Sequence, residues 1–107
     1  MEAQINHRDM HQKTPLFYAI EAPAENLDVV LLLINKGADV NATSIDGWSP
    51  LLKATQKKHH QILENLLSNG ANHRHILLSN SYSALHIAVE NGDLESVKVL
   101  INAGADL

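Results

Sequence analysis

One tripeptide returns along this chain on a nearly fixed step: Gly37-Ala38-Asp39, Gly70-Ala71-Asn72 and Gly104-Ala105-Asp106. The glycines stand 33 and then 34 positions apart. A second signal keeps the same phase, as Thr14-Pro15-Leu16, Ser49-Pro50-Leu51 and Ser83-Ala84-Leu85. Two markers holding one period over 107 residues point to a stack of similar small units. Such units bury their apolar faces only against one another, so a single globular core is not expected.

The middle unit can be read residue by residue. Ser49 can accept a hydrogen bond from a free first-turn N–H, and Pro50 stands where its missing N–H does no harm. The spacing predicts a short helix over 50–57, with Leu51 and Ala54 on its buried stripe. A break is expected at 58–60. A second helix over 61–68 then presents Ile62, Leu63, Leu66 and Leu67 together. Gly70 stops it in the left-handed conformation common beyond helix ends. The stretch from there to the next serine is largely polar and turn-forming. Each unit therefore reads as helix, turn, helix and an extended hairpin.

These residues resemble the ankyrin repeat, whose pattern runs TPLHLAA, two variable residues, G, a second helix ending LLL, two residues, and GADVN. TPLFYAI (14–20) with LLLINKGADVNA (31–42) carries the likeness. SALHIAVENGDLESVKVLINAGAD (83–106) carries it further, while the middle unit keeps the spacing with looser residues. The likeness covers nearly the whole chain. It implies an all-α fold, an ankyrin-repeat solenoid of three helix-turn-helix units with β-hairpin fingers. The units would span 14–48, 49–82 and 83–107, after a finger remnant at 1–13; the finger of the last unit is incomplete.

Departures from the pattern carry their own expectations. The TPLH histidine, which serves local hydrogen bonding in such repeats, survives only as His86. Phe17 and Leu52 replace it, so packing is expected to hold those two first helices. The inter-helix glycine survives only as Gly92; Lys58 takes its place in the middle unit, where a positive φ costs about 1 kcal/mol. The first unit is two residues longer around Pro23, within 22–26, so its inter-helix turn should bulge outward. The second hairpin is one residue longer and carries Ile76-Leu77-Leu78 where a polar tip is usual. Exposed, these three would form an apolar patch; folded back, they would pack on the neighbouring unit.

The resemblance also implies a function, non-catalytic recognition of a protein partner through the hairpin tips and the concave face of the first helices. Carried over by position, that face has three strips. The first is Met10, His11 and Lys13 with Glu21 and Ala22; the second is Ile45, Asp46 and Trp48 with Gln56 and Lys57. The third is Ser79, Asn80 and Tyr82 with Glu90 and Asn91. Trp48 and Tyr82 hold one position in successive units, and binding energy at protein interfaces concentrates in such residues. Trp48 can equally cover the edge of its own helix.

Composition limits other functions. The net charge is −4 and no Lys/Arg stripe is visible, so a nucleic-acid partner is not expected. No apolar run approaches the ~20 residues of a membrane span, and the polar N-terminus lacks the basic start and apolar core of a signal peptide. The cytoplasm is the expected location, with the nucleus as the other. There is no cysteine, hence no disulfide and no cysteine-based zinc site. Seven histidines raise the question of a metal. The intervening helix, however, puts His59 and His60 roughly 12–15 Å from His73 and His75. Solvated surface histidines are the expectation, with no metal and no cofactor. No phosphate loop or nucleophile elbow marks an enzyme. Asn41-Ala42-Thr43 matches a glycosylation sequon, but with no secretion signal it is expected to stay unmodified.

The ends suggest a segment of a longer array. Residues 2–6 align with the tail of a preceding repeat, and the chain stops inside the next finger. Val97, Val99, Leu100 and Ile101 of the last helix show none of the polar substitutions of a capping unit. Self-association through those uncovered ends is the other expectation, and a regulatory or targeting segment of a larger enzyme or effector is a third.

Overall fold

The computed structural model describes residues 4–105. Six helices follow one another: α1 (Pro15–Glu21), α2 (Leu27–Asn35), α3 (Pro50–Gln56), α4 (His60–Ser68), α5 (Ala84–Glu90) and α6 (Leu94–Asn102). The odd-numbered helices pack side by side in one layer and the even-numbered in a second. The stack measures 45 × 28 × 23 Å.

Each first helix begins for the reason its sequence offers. Thr14 and Ser49 accept hydrogen bonds from the N–H groups of Phe17 and Leu52, at 3.2 and 3.1 Å, with a proline in the first turn. Ser83 closes a two-way box: its backbone N–H donates to His86 Nδ1 at 3.1 Å while its hydroxyl accepts from the His86 N–H. Phe17 and Leu52 are buried where His86 is exposed, so packing does replace the histidine in the first two units.

The recurring tripeptide ends the second helices. Gly37, Gly70 and Gly104 take φ of 95°, 88° and 94°. The N–H groups of the alanines that follow, Ala38, Ala71 and Ala105, donate to Leu33, Leu66 and Leu100 at 3.0 Å. This closure satisfies carbonyls that a helix end leaves without partners. Between the helices of the last two units, Gly92 has φ 65° and Lys58 φ 59°, so the lysine does adopt the strained glycine conformation.

The core is one apolar seam through all three units, built on Leu16, Ile20, Val30, Leu51, Leu52, Ala54, Ile62, Leu63, Leu66, Ala84, Ala88 and Leu100. Comparing equivalent positions shows which surfaces meet at each junction. Val29 is half exposed, while its counterparts Ile62 and Ser96 are fully covered by the preceding unit. Ile101 is exposed, while its counterparts Ile34 and Leu67 are partly covered by the following unit.

Polar links run along the stack beside this seam. Asn6 Nδ2 donates to the Gly37 carbonyl at 3.1 Å, and Asn6 Oδ1 accepts from the Asp39 N–H at 2.7 Å. Asn41 repeats the arrangement with Gly70 and Asn72, at 3.1 and 2.8 Å. Both heteroatoms of the sequon side chain therefore take part in bonds between neighbouring units, at the surface of the stack.

Three histidines depart from the expectation of solvated surface residues, while His7, His11 and His86 are exposed. His59 is buried and its Nε2 donates to the Ala22 carbonyl of the preceding unit at 3.0 Å. His60 Nε2 lies 2.9 Å from the Asp93 carboxylate of the next unit. His75 Nε2 reaches the Gly47 carbonyl at 2.8 Å. Each closes a junction between units separated in sequence by 28 to 37 residues. No group of three metal-ligating side chains occurs among the described residues, nor any helix there long and apolar enough to cross a membrane. Positions 2–3 of the aligned preceding tail, and the next finger at 106–107, lie outside the described residues.

Candidate protein-binding face

Three fingers stand along one edge of the stack, and each closes with one backbone bond across its base. The N–H groups of Asp9, Ser44 and Leu77 donate to the carbonyls of Lys13, Trp48 and Tyr82, at 3.1, 2.9 and 2.9 Å. The residue before each acceptor has positive φ: Gln12 at 60°, Gly47 at 84° and Ser81 at 60°. The fingers are thus turn-closed hairpins, with no regular strand among the described residues. Neighbouring fingers touch, since the Ile45 N–H donates to the His11 carbonyl at 2.9 Å.

This closure sets the register of the tips. Met10, Ile45 and Leu78 each follow the donor residue directly and are 82%, 66% and 87% exposed. They are the three most exposed large apolar side chains among the described residues. The apolar run of the third finger divides around them. Leu77 takes the place of Asp9 and Ser44 and folds into the core at 5% exposure, whereas Leu78 projects. The extra residue is absorbed at Ser79-Asn80, where Asn80 Oδ1 accepts from the Tyr82 N–H at 3.0 Å.

Behind the tips lies the row Lys13, Trp48 and Tyr82, and each member leans onto its own first helix. Lys13 Nζ makes two bonds to the Glu21 carboxylate, at 3.1 and 3.2 Å. The Tyr82 hydroxyl donates to Glu90 at 2.9 Å and its ring stacks on His86, with centroids 5.2 Å apart. Trp48 lies beneath the ammonium of Lys53, 4.2 Å from the ring centroid. Such contacts lower the freedom of large side chains before any partner arrives, which reduces the cost of binding.

Of the residues the sequence assigned to the face, the structure gathers Lys13, Glu21, Trp48, Gln56 and Lys57 around one centre. That centre is Lys53, which the repeat pattern does not single out. Lys53 Nζ donates to Gln56 Oε1 at 2.8 Å, stands 3.9 Å from Glu21 and lies over the rings of Trp48 and Phe17. Burial holds its ammonium below the usual lysine range; Lys57 and Lys13 push the same way, and Glu21 and Asp46 oppose them. Tyr18, Lys53 and Ile87 occupy the same position of their first helices, and three such different side chains gave the sequence no signal there. The Tyr18 hydroxyl donates to Asp9, and that bond depresses the Asp9 carboxyl and raises the tyrosine.

The other assigned residues lie around this group. Asp46, exposed on the second finger, acts on Lys53 through its charge, and Asn91 is exposed at the end of α5. Ala22 turns its carbonyl to His59 and belongs to a junction between units.

A two-layer helical stack with a row of fingers along one edge defines a repeat-solenoid protein. Residues 41–107 match the family model "Ankyrin repeats (3 copies)" and residues 11–45 the model "Ankyrin repeat". The chain belongs to the ankyrin-repeat family. It is similar to ankyrin repeat protein FPV031 of fowlpox virus, with 40% identity over 84 residues, 75% of this chain and 24% of that protein. Mouse B-cell lymphoma 3 protein homolog is 37% identical over 100 residues, 92% of this chain and 22% of that one. Tyrosine-protein kinase HTK16 of Hydra vulgaris is 35% identical over 108 residues, 100% of this chain and 14% of the kinase. The chain thus spans a quarter or less of the length of these curated relatives.

Proposed function

We propose that the chain recognises a protein partner without catalysis, through its three finger tips and the row of Lys13, Trp48 and Tyr82 behind them. One observation carries this reading. The most exposed large apolar side chains, Met10, Ile45 and Leu78, occupy the same place on three successive fingers. Scattered exposed apolar residues need no explanation, but an aligned row invites coverage. Among the residues first assigned to the face, His11, Asp46, Gln56, Lys57, Glu90 and Asn91 would form its polar surround. Such recognition suits a chain in the cytoplasm or nucleus, and likeness to part of a kinase fits a regulatory or targeting segment of a larger protein.

Capture from a cell extract, quantified by mass spectrometry, tests the reading. The wild-type chain is compared with a Met10→Ser, Ile45→Ser, Leu78→Ser variant that melts at the same temperature. Proteins held by the first and lost by the second support the face. A partner held equally by both places the binding site elsewhere.

A second reading rests on the ends of the stack. Tyr18, Val29 and Leu32 lie open at the first unit, and Val89, Leu94 and Ile101 at the last. These are the positions that meet inside the stack, so a second copy can add head to tail. Light scattering that finds one molecular mass from micromolar to millimolar concentration removes this reading.

A further inference from the structure

We infer that the segment taken by this face is acidic as well as apolar: apolar side chains cover Met10, Ile45 and Leu78, and a carboxylate reaches Lys53 and Lys57. The inference rests on the proposed binding face and narrows it to one kind of partner.

Charges on this side of the first two units are unevenly matched. The carboxylates are mostly engaged. Asp9 accepts from the Tyr18 hydroxyl and from the N–H groups of His11 and Lys13, the latter two at 2.9 and 3.0 Å. Glu21 is held by two bonds from Lys13. In the third unit Glu90 accepts from Tyr82. The ammonium groups are less well supplied. Lys53 has one neutral acceptor, two aromatic faces and a carboxylate only at the 3.9 Å limit, and that carboxylate already serves Lys13. Lys57, one helical turn further on, is exposed and makes no ion pair among the described residues.

Lys13 and Lys53 therefore share Glu21, while Lys57 adds a third positive charge beside Lys53 and Asp46 opposes it from the finger. A half-buried ammonium with too little countercharge is costly, and an arriving carboxylate relieves it. Burial is the main reason the Lys53 ammonium is held below the usual lysine range, and Lys57 and Lys13 add to that while Glu21 and Asp46 oppose it. A carboxylate placed there lies beside the Trp48 ring and within reach of the second finger, whose tip is Ile45. Apolar and acidic groups close together on one peptide segment match that pattern, and charge complementarity of this kind sets partner choice.

The probe is a phage-displayed library of random linear peptides selected on the immobilised chain. Each enriched peptide is then synthesised as found and with every Asp and Glu changed to Asn and Gln. Affinities are measured for the wild type, for a Lys53→Met, Lys57→Gln variant and for the Met10→Ser, Ile45→Ser, Leu78→Ser variant. We expect a loss of about tenfold or more from neutralising either the peptide or the lysines. The combined loss should fall short of the product, because both changes remove one interaction. If Lys53→Met lowers the melting temperature, Lys57→Gln alone, on an exposed side chain, carries the comparison. Peptides lost on the tip variant but indifferent to the lysine charges overturn the acidic segment and leave the face standing. Peptides indifferent to both sets of changes overturn the face as well. Enrichment of no peptide overturns recognition of a linear segment.

Discussion

The second and third units solve the same local problems with different means. In the third, the caps and the left-handed turn come from the unit's own residues. Ser83 and His86 close a capping box, Gly92 takes the left-handed turn, and Asp93 caps α6 by accepting from Ser96. In the second, each of those positions departs from the pattern. Leu52 stands for the histidine, Lys58 holds φ 59° without being glycine, and His59 offers α4 no side-chain cap. The missing pieces come from the first unit. Glu25 Oε2 accepts from the N–H groups of Gln61 and Ile62 at 2.9 and 3.1 Å, and the Ala22 carbonyl accepts from His59. A unit with neighbours on both sides can take its stabilising contacts from them, and in doing so it loses independence.

Exchanging parts between the two units breaks this comparison most severely at Leu52. Leu52→His puts the residue of the third unit into a fully buried site of the second, and we expect a loss of about 2–4 kcal/mol in denaturant unfolding. The reverse exchange, His86→Leu, should cost only about 1 kcal/mol, the value of one cap. If the two exchanges cost the same, the units are not held by different means.

Asp93 offers the next largest effect. Burial disfavours its charge, but hydrogen bonds from Ser96 and His60 outweigh that and hold the carboxyl below its usual range. A carboxyl depressed in the folded state stabilises the fold above its unfolded value of about 3.9, and this contribution disappears as pH falls through the folded value. Asp93→Ala should therefore cost about 1–2 kcal/mol at neutral pH. It should also flatten the stability profile below about pH 4.

Glu25→Ala should cost about 1 kcal/mol, although residue 25 lies outside the unit it stabilises. Amide exchange should quicken at Gln61 and Ile62, while α6, with its own cap, is unchanged. Equal quickening at both helices would mean that the cap is not specific to α4.

The smallest effect is a gain. Lys58→Gly relieves the strained turn at some cost in unfolded-chain entropy, for a net stabilisation below about 1 kcal/mol. Gly92→Ala should lose about 1 kcal/mol, and purely as backbone strain, because an added Cβ there meets nothing within 4 Å.

This contrast also sets what was legible in the sequence. Helix starts at Thr14, Ser49 and Ser83 and the stops at the three glycines depend on residues close in the chain, so spacing located them, and the resemblance to the ankyrin pattern placed the strained turn at Lys58. The roles of Glu25, His59, His60 and His75 depend on partners about one repeat away, which only the stacked units bring into reach. The candidate face divides in the same way. Resemblance to the ankyrin repeat carried Met10, Ile45, Trp48 and Tyr82 over by their positions. The role of Lys53 depends on its distances to Trp48, Phe17 and Glu21, which no spacing encodes. Leu78 was obscured by the inserted residue, since which of the three apolar residues would turn inward depends on how the finger closes.

Trp48 is the single tryptophan of the chain, and the charge of Lys53 rests on its ring. Its ultraviolet emission is consequently a built-in optical gauge of one spot on the fingers, free of interference from any second indole. Whatever displaces or neutralises that ammonium alters the field across the excited ring, so occupancy can be followed without attaching a dye.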